Sequence, residues 1–274
     1  EIYKNKNSIS VTITGSYSEH FNVNKAGDID IVVICKKLNK KFFDDCIEKI
    51  KIIKKKYFRN KENLIINSTF GPIKFYTKNA IVFHLMIYDI NTHIQHTINS
   101  PFTCYDWERS EIYAGKSLKE LSPVYKLQLR DFTEARRSTN EYLSDILDNR
   151  ISYREYQFSK KKIILKKKYF KIDELNKRDF IYHIIRYLIV NYIKYENQSN
   201  IVASEKIIEN KFYEIIKNKK KLEQFIKLKQ LKKNKSKTII NDSKKLVIEF
   251  INKFETLIKR KEIGTKVFFS RHKK

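Results

Sequence analysis

Two aspartates, Asp28 and Asp30, stand one residue apart at the head of the apolar run "IDIVVI". Side chains two apart on a strand project from the same face, so both carboxylates point the same way. Like charges at that spacing repel, and a divalent cation held between them removes the repulsion. Mg²⁺, or Mn²⁺, suits such a pair, because it takes hard oxygen ligands and bridges carboxylates to substrate phosphates. Upstream, Gly15-Ser16 ends the β-branched run "SISVTIT", Ser8 to Thr14. Glycine lets the backbone come close, and turn N–H groups with a serine hydroxyl can cradle phosphate oxygens. Each element alone reads as an ordinary turn or an ordinary strand edge. Both together, each set against a strand, are the equipment of phosphoryl or nucleotidyl transfer from a nucleoside triphosphate.

The elements that must carry these residues are legible as patterns. "SISVTIT" and "IDIVVI" read as strands, and Lys40 to Phe58 places Phe42, Cys46, Ile50, Ile53 and Tyr57 at helical spacing. "NLIIN", "PIKFYT" and "AIVFHLMIYDI" follow as further strands, the last two joined by a turn at Lys78-Asn79. "ERSEIYAGKSL" around Gly115 reads as a closing loop, with Trp107 beside it as a packing residue or, less simply, a base-stacking one. After Pro123 the chain has no proline and a single glycine, Gly264. Apolar residues recur at helical spacing over Tyr125–Asp148, Ser152–Phe170, Asp179–Tyr195, Ala203–Leu231 and Ser243–Lys261. The expected fold class is α+β over residues 1–122, a mixed sheet with flanking helices, followed by an all-α helical domain over 123–274.

The stretch "TGSYSEHFNVNKAGDIDIVVI" resembles the signature of the polymerase-β-like nucleotidyltransferase superfamily. Its parts are a hydrophobic residue, Gly-Ser, a spacer of eleven residues, then Asp-hydrophobic-Asp and a β-branched run. The Gly27-Asp28-Ile29-Asp30 core is similar to that of family-X polymerases and minimal nucleotidyltransferases. The resemblance implies a nucleotidyltransferase-type sheet in which Asp28 and Asp30 hold the metal and Gly15 and Ser16 the triphosphate. It also implies a third carboxylate on a neighbouring strand. The strand in question is "AIVFHLMIYDI", whose polar interior position is His84, with Asp89 at opposite strand parity. His84 is open to three readings: neutral metal ligand, general base for the attacking hydroxyl, or a core histidine with a satisfied hydrogen bond.

Composition frames the partners. The net charge is +27, of which residues 126–274 carry 39 basic and 18 acidic groups against 19 and 13 in residues 1–125. A field of that sign attracts polyanions, and the helical half favours RNA or tRNA as acceptor, with lysines on phosphates and Tyr/Phe for stacking. The excess of 47 Lys over 11 Arg also fits an AT-rich coding bias, so charge alone does not assign a partner. A small-molecule or protein nucleotidyltransferase, or a catalytically silent RNA- or ribosome-binding relative, would use the same features. No apolar run is long enough for a membrane span, and no signal peptide is visible. The three cysteines, Cys35, Cys46 and Cys104, are odd in number and lack metal spacing, which points to a reducing compartment, the cytoplasm or an organellar matrix. Two weaker patterns remain. "RDFIYH", Arg178 to His183, resembles the Arg-His pair of small helical ribonuclease domains but reads more simply as a helix start; "TKVFFSRH", Thr265 to His272, resembles the opening strand of histidine phosphatases.

Overall fold

In the computed structural model the described residues are 1–15, 17–18, 28–57, 64–71, 81–160, 162–200, 203–234, 236–238 and 242–271. The chain forms two compact units, one of residues 1–125 with 152–169, the other of residues 126–151 with 170–274. The first is α+β, built on a mixed five-stranded sheet.

The sheet contains β1 (Ser8–Thr14), β2 (Asp28–Cys35), β3 (Leu64–Asn67), β4 (Ile81–Asp89) and β5 (Ile112–Gly115), in the order β3-β4-β2-β1-β5. β3, β4 and β2 run parallel, while β1 is antiparallel to both β2 and β5. Parallel strands buried on both faces are apolar almost throughout, as β2 and β4 are. On one face Ile29, Ile31, Val33, Phe83, Leu85 and Ile87 pack under helix α1 (Lys40–Tyr57), which contributes Phe42, Cys46 and Ile50 at the expected helical spacing. The alternate residues, among them Asp28, Asp30 and His84, therefore lie on the opposite face.

Farther along that face, two short helices follow β4: α2 (Ile90–Asn99) and α3 (Pro101–Trp107). Tyr88 of β4 stacks on His96 of α2 with ring centroids 5.1 Å apart, and Trp107 of α3 lies 5.2 Å from His96. Trp107 is a buried packing residue. Asp89 caps α2, accepting from the Thr92 amide at 2.8 Å and the Thr92 hydroxyl at 2.7 Å. The stretch around Gly115, expected as a loop, forms the edge strand β5, followed by the short helix α4 (Leu118–Leu121). Its four exposed residues give no alternating pattern, and pairing with β1 defines it.

The second departure is larger. The helix expected over Ser152–Phe170 is a hairpin of β6 (Arg150–Phe158) and β7 (Ile163–Lys171). Tyr156 and Phe158 of β6 pack against Phe43 of α1, and the Tyr156 hydroxyl donates to the Ile87 carbonyl at 3.0 Å. Phe70 and Arg154 exchange backbone hydrogen bonds of 2.8 and 2.7 Å. Gly71 permits this docking, because at φ 134° a Cβ there would sit 3.1 Å from the Ser152 carbonyl oxygen and Tyr153 Cα. β-branched and aromatic residues at alternate positions favour a strand once a partner surface exists, overriding the lysine-rich helical reading.

The second unit is mainly helical, with α5 (Asp131–Leu147), α6 (Glu174–Asn197), α7 (Glu205–Ile216), α8 (Lys219–Lys233) and α9 (Ser243–Arg271). The helix expected over Ala203–Leu231 is broken. Lys217 takes the left-handed conformation and the Asn218 side chain caps α8 by accepting from the Lys221 amide. Phe212 stacks on both Phe225 and Phe250, at 4.5 and 5.4 Å. Thr265 to Arg271, whose wording resembles a histidine-phosphatase strand, belong to helix α9, and His272 lies outside the described residues. "PIKFYT" and the turn at Lys78-Asn79 also lie outside them. No helix among the described residues is long and apolar enough to cross a membrane.

The cluster around β4 has a pH consequence. Both ring nitrogens of His93 and Nε2 of His96 are buried without hydrogen-bond partners, and burial pushes both imidazoles down to about 4. A base whose pKa falls on folding takes up protons preferentially in the unfolded state, so its contribution is intact above about pH 6.5 and is lost as the pH falls toward 4. Each histidine then costs about 3 kcal/mol by pH 4. Urea unfolding between pH 7.5 and 4.5 should show a steep loss of stability, and His96→Phe should make the slope shallower; an unchanged slope in the variant contradicts this assignment.

Candidate metal centre

Strand register decides which side chains meet. β2 and β4 pair in parallel with Asp30 opposite His84, and Asp28 opposite Val82. Asp28, Asp30 and His84 each offer one ligand atom, and the three atoms lie within 4.8 Å of one another. Opposite ligands of an octahedral Mg²⁺ are about 4.2 Å apart and adjacent ones about 3 Å, given metal–oxygen bonds of about 2.1 Å. Small side-chain rotations would close the three atoms on one ion. Asp30 and His84 are each only partly exposed, 26% and 17% at the side chain, so a bound ion would still reach solvent or substrate.

The hydrogen bonds of His84 define its tautomer. Nε2 lies 2.9 Å from the Thr69 carbonyl oxygen, which can only accept, so Nε2 carries a proton. Nδ1 lies 2.9 Å from Asp30 Oδ1. When Nδ1 is also protonated, an imidazolium–carboxylate ion pair forms. When it is not, Nδ1 offers a lone pair as one of the three possible ligand atoms. A backbone carbonyl that fixes the far ring N–H is the usual outer support of a metal-binding histidine. Burial works against the charged ring, yet the hydrogen bond and charge of Asp30, with the Thr69 carbonyl and Asp28, together raise its pKa above the ordinary value.

Thr69 is itself held in place. Its amide and hydroxyl both donate to Asn67 Oδ1, at 3.0 and 2.8 Å, in a turn leaving β3. Asn67 pairs with His84 across β3 and β4. On the other side of Asp30 lies Thr14, its partner on β1, whose buried hydroxyl has no hydrogen-bond partner. Gly15 follows at φ 76°, and a Cβ there would stand 3.0 Å from Asp30 Oδ2. Its amide donates to Ser110 Oγ at 3.3 Å, and its carbonyl accepts from the Ser18 amide and hydroxyl at 3.1 and 2.7 Å. Gly15 is thus brought against Asp30, and Ser16 lies outside the described residues.

Asn67, Thr69 and Thr14 were not among the residues singled out from sequence. "NST" at Asn67 to Thr69 carries a turn signal, but its link to His84 depends on strand order. Asp89 is committed to capping α2 and takes no part in the cluster. Arg178 is buried in the second unit, where it donates to the Ser236 and Thr238 carbonyls at 2.8 and 2.7 Å and pairs with Asp179. That guanidinium braces a chain turn, and "RDFIYH", expected as a helix start, lies inside α6, which begins earlier at Glu174 with Asp173 as its cap; His183 is in contact with Lys232. Burial pushes the three cysteine thiols up to about 12, which leaves them poor nucleophiles.

No family pattern, curated protein or solved structure matches the chain.

The contact at Gly15 is open to test. Gly15→Ala combines a left-handed backbone with a methyl group against Asp30 Oδ2, at a cost of about 1–2 kcal/mol. Chemical denaturation should show that loss, and calorimetric titration with Mn²⁺ should show a several-fold weaker affinity; wild-type behaviour in both would remove Gly15 from the centre.

Proposed function

We propose that the protein is a metal-dependent nucleotidyltransferase on a nucleotidyltransferase-type sheet, moving a nucleoside monophosphate from an NTP to a hydroxyl acceptor on RNA or tRNA. The observation that carries this reading is the register that gathers Asp28, Asp30 and His84 on one face, with Gly15 against Asp30. In the reaction the acceptor oxygen bonds to the α-phosphorus, the bond to the β-bridging oxygen breaks, and pyrophosphate leaves with that electron pair. Bound Mg²⁺ or Mn²⁺ would neutralise the phosphate charge and polarise the α-phosphoryl oxygen. Asp28 and Asp30 would hold the ion, with His84 as a neutral ligand completing the set. An imidazole in the donor set shifts preference toward Mn²⁺ over Mg²⁺. Nε2–H is committed to the Thr69 carbonyl and Nδ1 lies against Asp30 within the cluster, and on that placement we assign His84 as ligand rather than as general base, the acceptor hydroxyl losing its proton to solvent.

The same engagement supports a second reading. A histidine that pairs with Asp30 in place of a third carboxylate would also suit a catalytically silent relative that binds RNA.

Incubation with each labelled NTP, Mg²⁺ or Mn²⁺ and total RNA separates the two. Label in RNA that falls by about 10³-fold in Asp30→Asn is the expected result, since removing a metal ligand forfeits several kcal/mol of transition-state stabilisation. Label on a protein or small molecule would move the acceptor. No NTP consumption, with RNA binding intact in Asp28→Ala/Asp30→Ala, would favour the silent reading.

A further inference from the structure

The β6–β7 hairpin carries an exposed strand, β7. In the ordinary pattern one face of a strand is buried, but eight of the nine residues of β7 are exposed and the ninth, Lys168, is partly so. Five of the nine are large and apolar: Ile163, Ile164, Leu165, Tyr169 and Phe170, each 38% exposed or more. Such a run left in water is costly and marks an interaction surface.

The charge on the same hairpin narrows the occupant. Residues 150–171 contain nine Lys or Arg and a single acid, Glu155, which is already paired with Lys168. Lys167 and Tyr169 share one face of β7, the ammonium 5.7 Å from the ring centroid. On the other face Lys166 and Lys168 follow Ile164. A partner protein would have to be strongly acidic as well as apolar. A lipid surface would require apolar and basic residues to segregate to opposite faces, whereas here cations occupy both. Two adjacent aromatic rings, Tyr169 and Phe170, flanked by Lys166, Lys167, Lys168 and Lys171, match a chain that carries both π-faces and phosphates, and only unpaired bases present those faces.

We propose that β7 is a binding strand for single-stranded nucleic acid, with Tyr169 stacking on a base and Lys167, on the same face, and Lys162, at the turn before the strand, contacting phosphates. This rests on the RNA-acceptor part of the proposed function, and it locates that acceptor on the same compact unit as the metal centre, at Ser152–Tyr169. The inference does not depend on turnover.

The test is fluorescence polarisation of a short labelled single-stranded RNA with the full chain, without metal or NTP, over a range of salt. Wild type should bind, and prefer the single strand to a duplex of equal charge. Tyr169→Ala should weaken binding roughly tenfold at an unchanged salt slope. Lys162→Gln/Lys167→Gln should reduce the magnitude of that slope by about 1.4, since each single-strand phosphate contact contributes roughly 0.7. Melting curves would verify that the variants fold. Absent binding, or binding unchanged in both variants, would overturn the proposal. So would sedimentation as a dimer that Tyr169→Ala dissociates, or flotation with anionic vesicles as the property the variants lose. Asp30→Asn should keep wild-type RNA affinity, so loss of the hairpin site and loss of nucleotidyl transfer are read separately.

Discussion

Two carboxylates on one face of β2 create the electrostatic problem around which the first unit is arranged. Two like charges that come within 4.8 Å in a partly buried site repel by roughly 3–4 kcal/mol. A positive group beside them relieves the repulsion, and parallel pairing places opposite Asp30 an imidazole, His84, that can carry a proton. A slip of one residue would set Phe83 or Leu85 in its place and turn the imidazole into the apolar layer under α1. Register is therefore set by the same alternation that buries Ile29, Ile31, Val33, Phe83, Leu85 and Ile87. The apolar face and the charged face are two consequences of one pairing.

Support for that histidine runs outward through the backbone. Asn67 orients Thr69, Thr69 fixes Nε2–H, and the fixed tautomer aims Nδ1 at Asp30. Each step uses a group that the preceding strand places, so β3 matters to the site although it contributes no ligand. The docking of β6 beside Gly71 also packs against this region, through the Phe70–Arg154 bridge one residue after Thr69. Phe70 in turn lies 5.2 Å from Tyr88 and 5.4 Å from Tyr156. The turn that fixes His84 is thus held by aromatic packing beyond it.

Much of this was legible in sequence. β1, β2, β4 and α1 have strong local patterns, and the parity of Asp28, Asp30 and His84 follows from period-two geometry once the strands are recognised. What sequence left open depended on non-local pairing. "SYREYQF" and "KKKIILKKKYF" satisfy helical spacing and strand alternation about equally, and only docking on Phe43 and Ile87 selects the hairpin. β5 has no pattern of its own and exists because β1 offers a free edge. The break between α7 and α8 had a local cue in Asn218, a residue that caps well, but its weight was lost in the surrounding lysines. Within the site, Gly15 and both acids could be read directly, whereas Thr69 acts through a backbone carbonyl and leaves no trace in residue identity.

The histidine at the third position changes the state of the site without a metal. Three carboxylates gathered on one sheet would carry three negative charges, and such a cluster strains the fold until a cation arrives. Two carboxylates with a histidine whose pKa is raised carry a single net negative charge whenever the ring is protonated, and the ion pair with Asp30 forms within the protein itself. The centre can then be assembled before any metal binds, at the expense of weaker attraction for a divalent ion. A softer donor set offsets part of that loss for Mn²⁺ and little of it for Mg²⁺. The choice of one side chain on β4 thereby bears on how the sheet tolerates its two acids.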